Sequence, residues 1–521
     1  MPTVAALIVE GLRQAAVSRL FGVPGGGLGH EILEAARLGG LPVVSCHQEW
    51  AACIMAGVTG ELTGHPGAAL STLGPGVTGS VSGLGHAFLD RSPMIYLSAR
   101  HPDSALAFVT DHAALLAPVV KGSATATADS VGDQVAWAAA LAVAEPRGPV
   151  HLDLPADLAG RPAPRMVAAT ASSPLTPPDA AALDRAAEMI IGARRPIVVA
   201  GLQCRPPDAT WLRAFCEALP APVLTTCKAK GAIPDPHPLA MGVFTGGALE
   251  APVVRRADLI IAFGLDPAEL MPRRWPYSAP VLALTRCASS DARIRAPGGG
   301  AYFAPALEVV GDLGSILEEM APRLVSRYRA DWDVVEIDRL RRERRGALEI
   351  ALPGLAVHRV VQLAREFTPA GTIAAVDAGA HGFPVTAYWD AVEPGELLIS
   401  NGLATPGFAL PAAIAAQLVH PERRVVCFTG HGELMMVAAE LETAARLRLP
   451  LLIIVLGDGA PSPVALARTV GLYAFEAQDE DAFRSALFSA LAAPGPTLID
   501  ARVDPAGSRR TLEIVGGAPE G

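Results

Sequence analysis

Apolar runs of strand length recur along this entire chain, and Ala-rich stretches of helical length separate them. The clearest are Pro149 to Leu154, Pro196 to Ala200, Leu259 to Phe263, Val425 to Phe428 and Leu451 to Leu456. A strand that is apolar on both faces must be covered on both faces, and the intervening helices supply the cover. The pattern predicts an α/β fold of mainly parallel sheets.

The chain has 521 residues, too many for one core. Two breaks divide it. Gly160 to Asp179 is rich in Pro, Ala, Ser and Thr and reads as a linker. Arg323 to Gly346 is charged and helix-prone, and it leads into the turn Leu352-Pro353-Gly354. Three doubly wound parallel-sheet domains are therefore expected, at about 1–160, 180–325 and 350–505. The first and third are expected to resemble each other.

Hydrophobic residues make up 51% of the chain and charged residues 18%, which argues for a large core and against disorder. Formal net charge is -10, and the one basic stretch, Arg339 to Arg345, is interrupted by Leu340 and Glu343. No nucleic-acid partner is expected from such a surface. The seven cysteines form no CxxC pair, which disfavours a zinc knuckle or a disulfide scaffold. Leu449 to Leu456 is the longest apolar run and falls far short of a membrane span. Glu10 and Arg13 precede any apolar run of signal length, so the expected compartment is the cytosol.

Candidate site residues cluster at the ends of strand-like runs. Val23-Pro24-Gly25-Gly26-Gly27 is a Gly-rich turn whose spacing is not that of a dinucleotide fingerprint. His47-Gln48-Glu49-Trp50-Ala51-Ala52 puts a carboxylate where a strand gives way to a helix. Such a group serves either chemistry or merely the helix dipole. Ser71-Thr72-Leu73-Gly74-Pro75-Gly76 is a turn that lets a ligand approach the backbone, or a plain turn. Ala87-Phe88-Leu89-Asp90-Arg91-Ser92-Pro93 closes this block.

Taken in order with Arg147 to Pro155, these pieces resemble the pyrimidine-binding domain of thiamine-diphosphate-dependent decarboxylases and carboligases of the acetolactate synthase and benzoylformate decarboxylase type. The middle third is similar to their central domain, through Arg194 to Val198, Lys228 to Pro238 and Arg256 to Ile260. The last third resembles their diphosphate-binding domain. Its motifs are Val376-Asp377-Ala378-Gly379-Ala380-His381, Asn401 to Pro411 with Thr405 and Pro406, Gly430-His431-Gly432-Glu433, and Glu440 to Ala444.

The resemblance implies a thiamine diphosphate cofactor with magnesium or another divalent ion, and a 2-oxo acid that is decarboxylated or ligated. Glu49 would hydrogen-bond the aminopyrimidine, whose imino form takes the proton from the thiazolium carbon. Gly74, Pro75, Gly379, Ala380, His381, Thr405, Pro406, Gly430, His431 and Gly432 would contact the cofactor. Gly25, Gly26, Gly79 and Phe108 would line the substrate pocket. The cofactor of this family lies between two subunits, which implies a homodimer or homotetramer. Some relatives also bind FAD, and the residues leave that open.

Several positions depart from the family. Its metal-binding Asp is replaced by His431, and an Asn by Asp458. Both His431 and Asp458 are candidate metal ligands, and each is also a plain turn residue. Gly459 to Pro463 is a shortened connection, which implies an open diphosphate pocket. Pro406 replaces a bulky residue, Gly79 an Asn, and Phe108 a polar residue. Two functions are therefore carried forward: a thiamine-diphosphate enzyme with an unusual metal site, or a relative using the fold for binding, assembly or another reaction.

Overall fold

The computed structural model describes residues 1–25, 28–100, 111–165, 177–270, 275–289, 303–324, 330–457 and 461–516. It contains three six-stranded sheets, and every strand pair within them is parallel. The first holds β1 (Leu20–Gly22), β2 (Val43–Ser45), β3 (Gly67–Ser71), β4 (Met94–Arg100), β5 (Ser123–Thr125) and β6 (Pro149–Pro155). The second holds β7 (Pro196–Ala200), β8 (Val223–Thr225), β9 (Ala240–Val243), β10 (Leu259–Phe263), β11 (Val281–Thr285) and β12 (Leu307–Val310). The third holds β13 (Ile373–Val376), β14 (Leu397–Ile399), β15 (Val425–Gly430), β16 (Leu451–Gly457), β17 (Tyr473–Ala477) and β18 (Thr497–Arg502). All five apolar runs singled out in the sequence are strands of these sheets.

Strand order in the first sheet is β2-β1-β3-β4-β6-β5, and in the third β14-β13-β15-β16-β18-β17. The two share one topology, as expected. The central sheet differs, running β12-β11-β10-β7-β8-β9. The central order reverses direction once, between β7 and β10; the other two reverse twice, between β1 and β3 or β13 and β15, and again at the edge where β5 lies outside β6 and β17 outside β18. Such a reversal leaves a crevice at the carboxyl ends of the strands, where ligands of open α/β sheets bind. The crevices lie between β1 and β3, β7 and β10, and β13 and β15.

The first and third sheets share a core. Helix Glu49–Thr63 is buried along Ala51 to Gly60, and helix Ala409–Val419 along Ala409 to Gln417. Ala52, Cys53 and Ala56 belong to the same buried cluster as Ala412, Ala413 and Ala416. Side chains this small let two helices approach closely, which fixes one crevice relative to the other. All seven cysteines are free thiols. Among the described residues, no helix is long and apolar enough to cross a membrane.

Candidate active site

Glu49 opens the helix that follows β2, where a carboxylate complements the helix dipole. Its side chain turns onto the helix Gly74–Leu89. A Cβ added at Gly76 would lie 3.3 Å from Glu49 Oε1, and one at Gly79 would lie 3.2 Å from Oε2. The two glycines leave the space the carboxylate occupies. Behind it runs a buried chain of hydroxyls. Ser71 Oγ meets Tyr96 OH at 2.5 Å, Tyr96 OH donates to Ser80 Oγ at 2.8 Å, and Ser80 Oγ donates to the Gly76 carbonyl at 2.8 Å. Burial raises the Tyr96 phenol well above its ordinary value and pushes the Cys53 thiol up to about 12. The wall behind Glu49 is thus polar and uncharged near neutral pH.

The backbone leading to Glu49 is held from the third sheet's side of the molecule. Fully buried Glu440 accepts from the N–H of His47 at 2.9 Å and of Gln48 at 3.1 Å through Oε1. Its other oxygen accepts from Thr443 Oγ1 at 2.7 Å. Gln48 Nε2 donates to the Met436 carbonyl at 3.0 Å, and His47 Nε2 pairs with Glu442 Oε2 at 2.8 Å. Trp50 reaches the same region, where a Cβ at Gly407 would meet its ring at 2.9 Å.

The second crevice, between β13 and β15, is lined by Asp377, Gly379, His381, Gly430 and Glu433. Asp377 is fully buried. It accepts from Ala409 N at 3.1 Å and from Thr429 Oγ1 at 2.6 Å, and burial raises its carboxyl to about 7. The Glu433 carboxylate lies between the two glycines. A Cβ at Gly379 would stand 2.7 Å from its Oε1, and one at Gly430 would collide with its Oε2. The His381 ring, itself buried, borders both glycines.

Asp90, at the far end of the helix Gly74–Leu89 from Glu49, ties the first domain to the loop after β14. It accepts from Asn401 N at 3.0 Å and Gly402 N at 2.8 Å, and lies 3.5 Å from buried Lys228 Nζ. Farther along this loop, Thr405 is buried and its Oγ1 has no hydrogen-bond partner. Pro406 and Ala380 are exposed, as are Pro75 and Gly432. Gly25 packs on Thr72, where an added Cβ would meet Cγ2 at 2.5 Å, so the turns after β1 and β3 touch. Gly74 begins its helix with open space where a Cβ would go.

His431 opens the short helix after β15, near the buried carboxylate of Asp500. Asp500 Oδ2 accepts from Ser462 Oγ at 2.7 Å, while its Oδ1 is buried without a partner. Asp458, Gly26 and Phe108 lie outside the described residues. Among the described residues, no three His, Cys, Asp or Glu side chains gather as a metal site.

The structure thus brings Glu49 to Gly79, and Gly379 and His381 to Gly430. The sequence reading passed over Glu433, Glu440 and Asp500 as site residues. The available signal for Asp500 was an acidic residue inside the apolar strand Thr497–Arg502. Glu440 opens a helix, and nothing in its local sequence marks its partners across the molecule.

Three family descriptions match the chain. Thiamine pyrophosphate enzyme, N-terminal TPP binding domain, matches residues 2–119; the central domain matches 183–320; the C-terminal TPP binding domain matches 377–460. The catabolic acetolactate synthase of Raoultella terrigena is 27% identical, covering 96% of this chain and 94% of its own. The acetolactate synthase of Bacillus subtilis (strain 168) is 27% identical over 96% and 93%. The acetolactate synthase isozyme 3 large subunit of Escherichia coli (strain K12) is 28% identical over 87% and 82%.

Proposed function

The chain belongs to the thiamine pyrophosphate enzymes of the acetolactate synthase type, and from that premise we propose that it decarboxylates or ligates a 2-oxo acid with Glu49 as its catalytic carboxylate. One observation carries the reading: the Glu49 carboxylate sits over Gly76 and Gly79 against a wall of neutral hydroxyls. When bound, thiamine diphosphate supplies a carbon nucleophile and an electron sink beside a carbonyl. Glu49 holds and moves the proton shared with the pyrimidine ring. Gly74 and Pro75 contact the cofactor at this end. Gly25, Gly26, Gly79 and Phe108 serve the substrate side.

At the other end, Gly379, Ala380, His381, Thr405, Pro406, Gly430, His431 and Gly432 are proposed to face the diphosphate. The unpartnered Thr405 hydroxyl supports this placement. A magnesium site does not fit the described residues. Magnesium wants hard oxygen ligands in octahedral array, and the His431 imidazole is a softer donor. Asp458, the other proposed ligand, lies outside the described residues. Leu403, Met435 and Met436 are exposed apolar side chains near this crevice. We assign them to contact with a second copy of the chain, in a homodimer or homotetramer working in the cytosol.

Glu49→Gln tests the reading. Turnover of a 2-oxo acid in the presence of thiamine diphosphate should fall by about a hundredfold or more, with the circular dichroism unchanged. Equal activity in the variant removes Glu49 from the mechanism. A second reading, in which the fold serves binding, assembly or another reaction, is favoured by the carboxylate in the second crevice. Protein that takes up no thiamine diphosphate with either Mg²⁺ or Mn²⁺ would establish it.

A further inference from the structure

The crevice between β13 and β15 lies where open parallel sheets bind ligands. It sits at the carboxyl ends of two adjacent parallel strands where the strand order reverses. Glycines on both sides, Gly379 and Gly430, let a ligand approach the backbone. Yet the group between them belongs to the chain itself. The Glu433 carboxylate faces both glycines, with Oε1 toward Gly379 and Oε2 toward Gly430.

We propose that Glu433 is a built-in occupant of the diphosphate crevice, and that a diphosphate group enters only when this side chain swings out. The inference rests on the proposed thiamine-diphosphate reading and names what controls binding at that site. Two charges of one sign cannot share so small a space, because repulsion at a few ångströms is strong where water is partly excluded. Buried Asp377 stands close by, but with its carboxyl raised to about 7 it is fully charged only above neutral pH, so near neutrality the repulsion comes mainly from Glu433.

The side chain is free to leave. Among the described residues, no hydrogen bond or ion pair holds the Glu433 carboxylate, and the residue is only half-buried. It lies in the helix His431–Met436, whose last two residues are exposed. Rotation about its own side-chain torsions clears the crevice without moving the strands.

The test is direct titration of inorganic diphosphate, and separately of thiamine diphosphate with Mg²⁺, into the full chain and two variants. Glu433→Gln removes the charge and keeps the volume; Glu433→Gly removes both. Affinity for inorganic diphosphate should rise about tenfold or more in each variant, and further in Glu433→Gly. Thermal melting verifies that both variants fold. Unchanged affinity, or no diphosphate binding in any form, overturns the proposal. Weaker binding in the variants when a divalent ion is present also overturns it, because Glu433 would then be a metal ligand. Failure of the broader reading looks different: thiamine diphosphate binds none of the three proteins, while inorganic diphosphate still distinguishes them.

Discussion

Glu440 holds the backbone of His47, accepting its N–H at 2.9 Å from a site nearly 400 residues away in sequence. The same oxygen takes the N–H of Gln48, so the turn that aims Glu49 is fixed by a buried carboxylate beyond its own sheet. The geometry around Glu49 at one crevice therefore depends on side chains beside the other.

Glu440→Ala should strip acceptors from two backbone donors and from Thr443. Each orphaned buried group costs about 1–3 kcal/mol. Urea unfolding should show that loss, and turnover in the folded fraction should drop because Glu49 is no longer aimed. A variant with wild-type turnover would show that the clamp is only structural.

Gly76→Ala places a methyl 3.3 Å from Glu49 Oε1 and 3.2 Å from Ser71 Cβ. Ser71 is buried and Glu49 only partly so, which makes the carboxylate the group that must shift. Turnover should fall by about tenfold or more, since small misplacements of a catalytic group are costly. The melting temperature should move by only a few degrees. Full activity would mean that the carboxylate adapts.

Two buried carboxyls predict how stability varies with pH. Asp377 is raised to about 7 and Glu269 to about 8, both by burial. Glu269 sits in the central crevice, where its Oε2 accepts from Leu202 N at 2.7 Å and Asp266 N at 3.2 Å. Each group binds its proton more tightly folded than unfolded, where its value is about 4. The stability they confer is complete below that value and is lost as pH rises through about 7 and 8. Urea midpoints from acid to mildly alkaline pH should therefore decline over this span. Asp377→Asn and Glu269→Gln should each flatten the decline; an unchanged slope would exclude the group concerned.

Asp90→Ala should be among the most damaging single changes. It frees the N–H groups of Asn401 and Gly402 and leaves buried Lys228 with Glu61 as its one charged partner beside the Ile399 carbonyl. Removing one partner from a buried charge cluster costs about 3–5 kcal/mol. Denaturant unfolding should report a loss of that size, and proteolysis should begin in the segment around residues 400–405.

The sheets were legible because their strands, such as Leu451–Gly457, are apolar without interruption, a pattern that only a strand covered on both sides explains. Glu49 stood out through the ordered motifs around it, which resemble those of thiamine-diphosphate enzymes, because a carboxylate that opens a helix reads by itself as dipole chemistry. Strand order was not legible, since parallel neighbours are joined through helices and nothing local records which edge a strand takes. Glu433 and Glu440 were hidden for a related reason. Each lies in a helix start that reads as ordinary dipole chemistry, and its role depends on glycines or backbone donors brought near only by the fold.

The shared topology of the first and third sheets has a mechanical consequence. A ligand with two chemically different ends is gripped by two copies of one design, each built from its own strands. The two grips are coupled only where a side chain such as Glu440 crosses from one to hold the backbone of the other. The proposed plugging of the diphosphate end by Glu433 therefore leaves the Glu49 end formed. The two ends are thus separate jaws joined by a few pins, and only a change at a pin is felt by both.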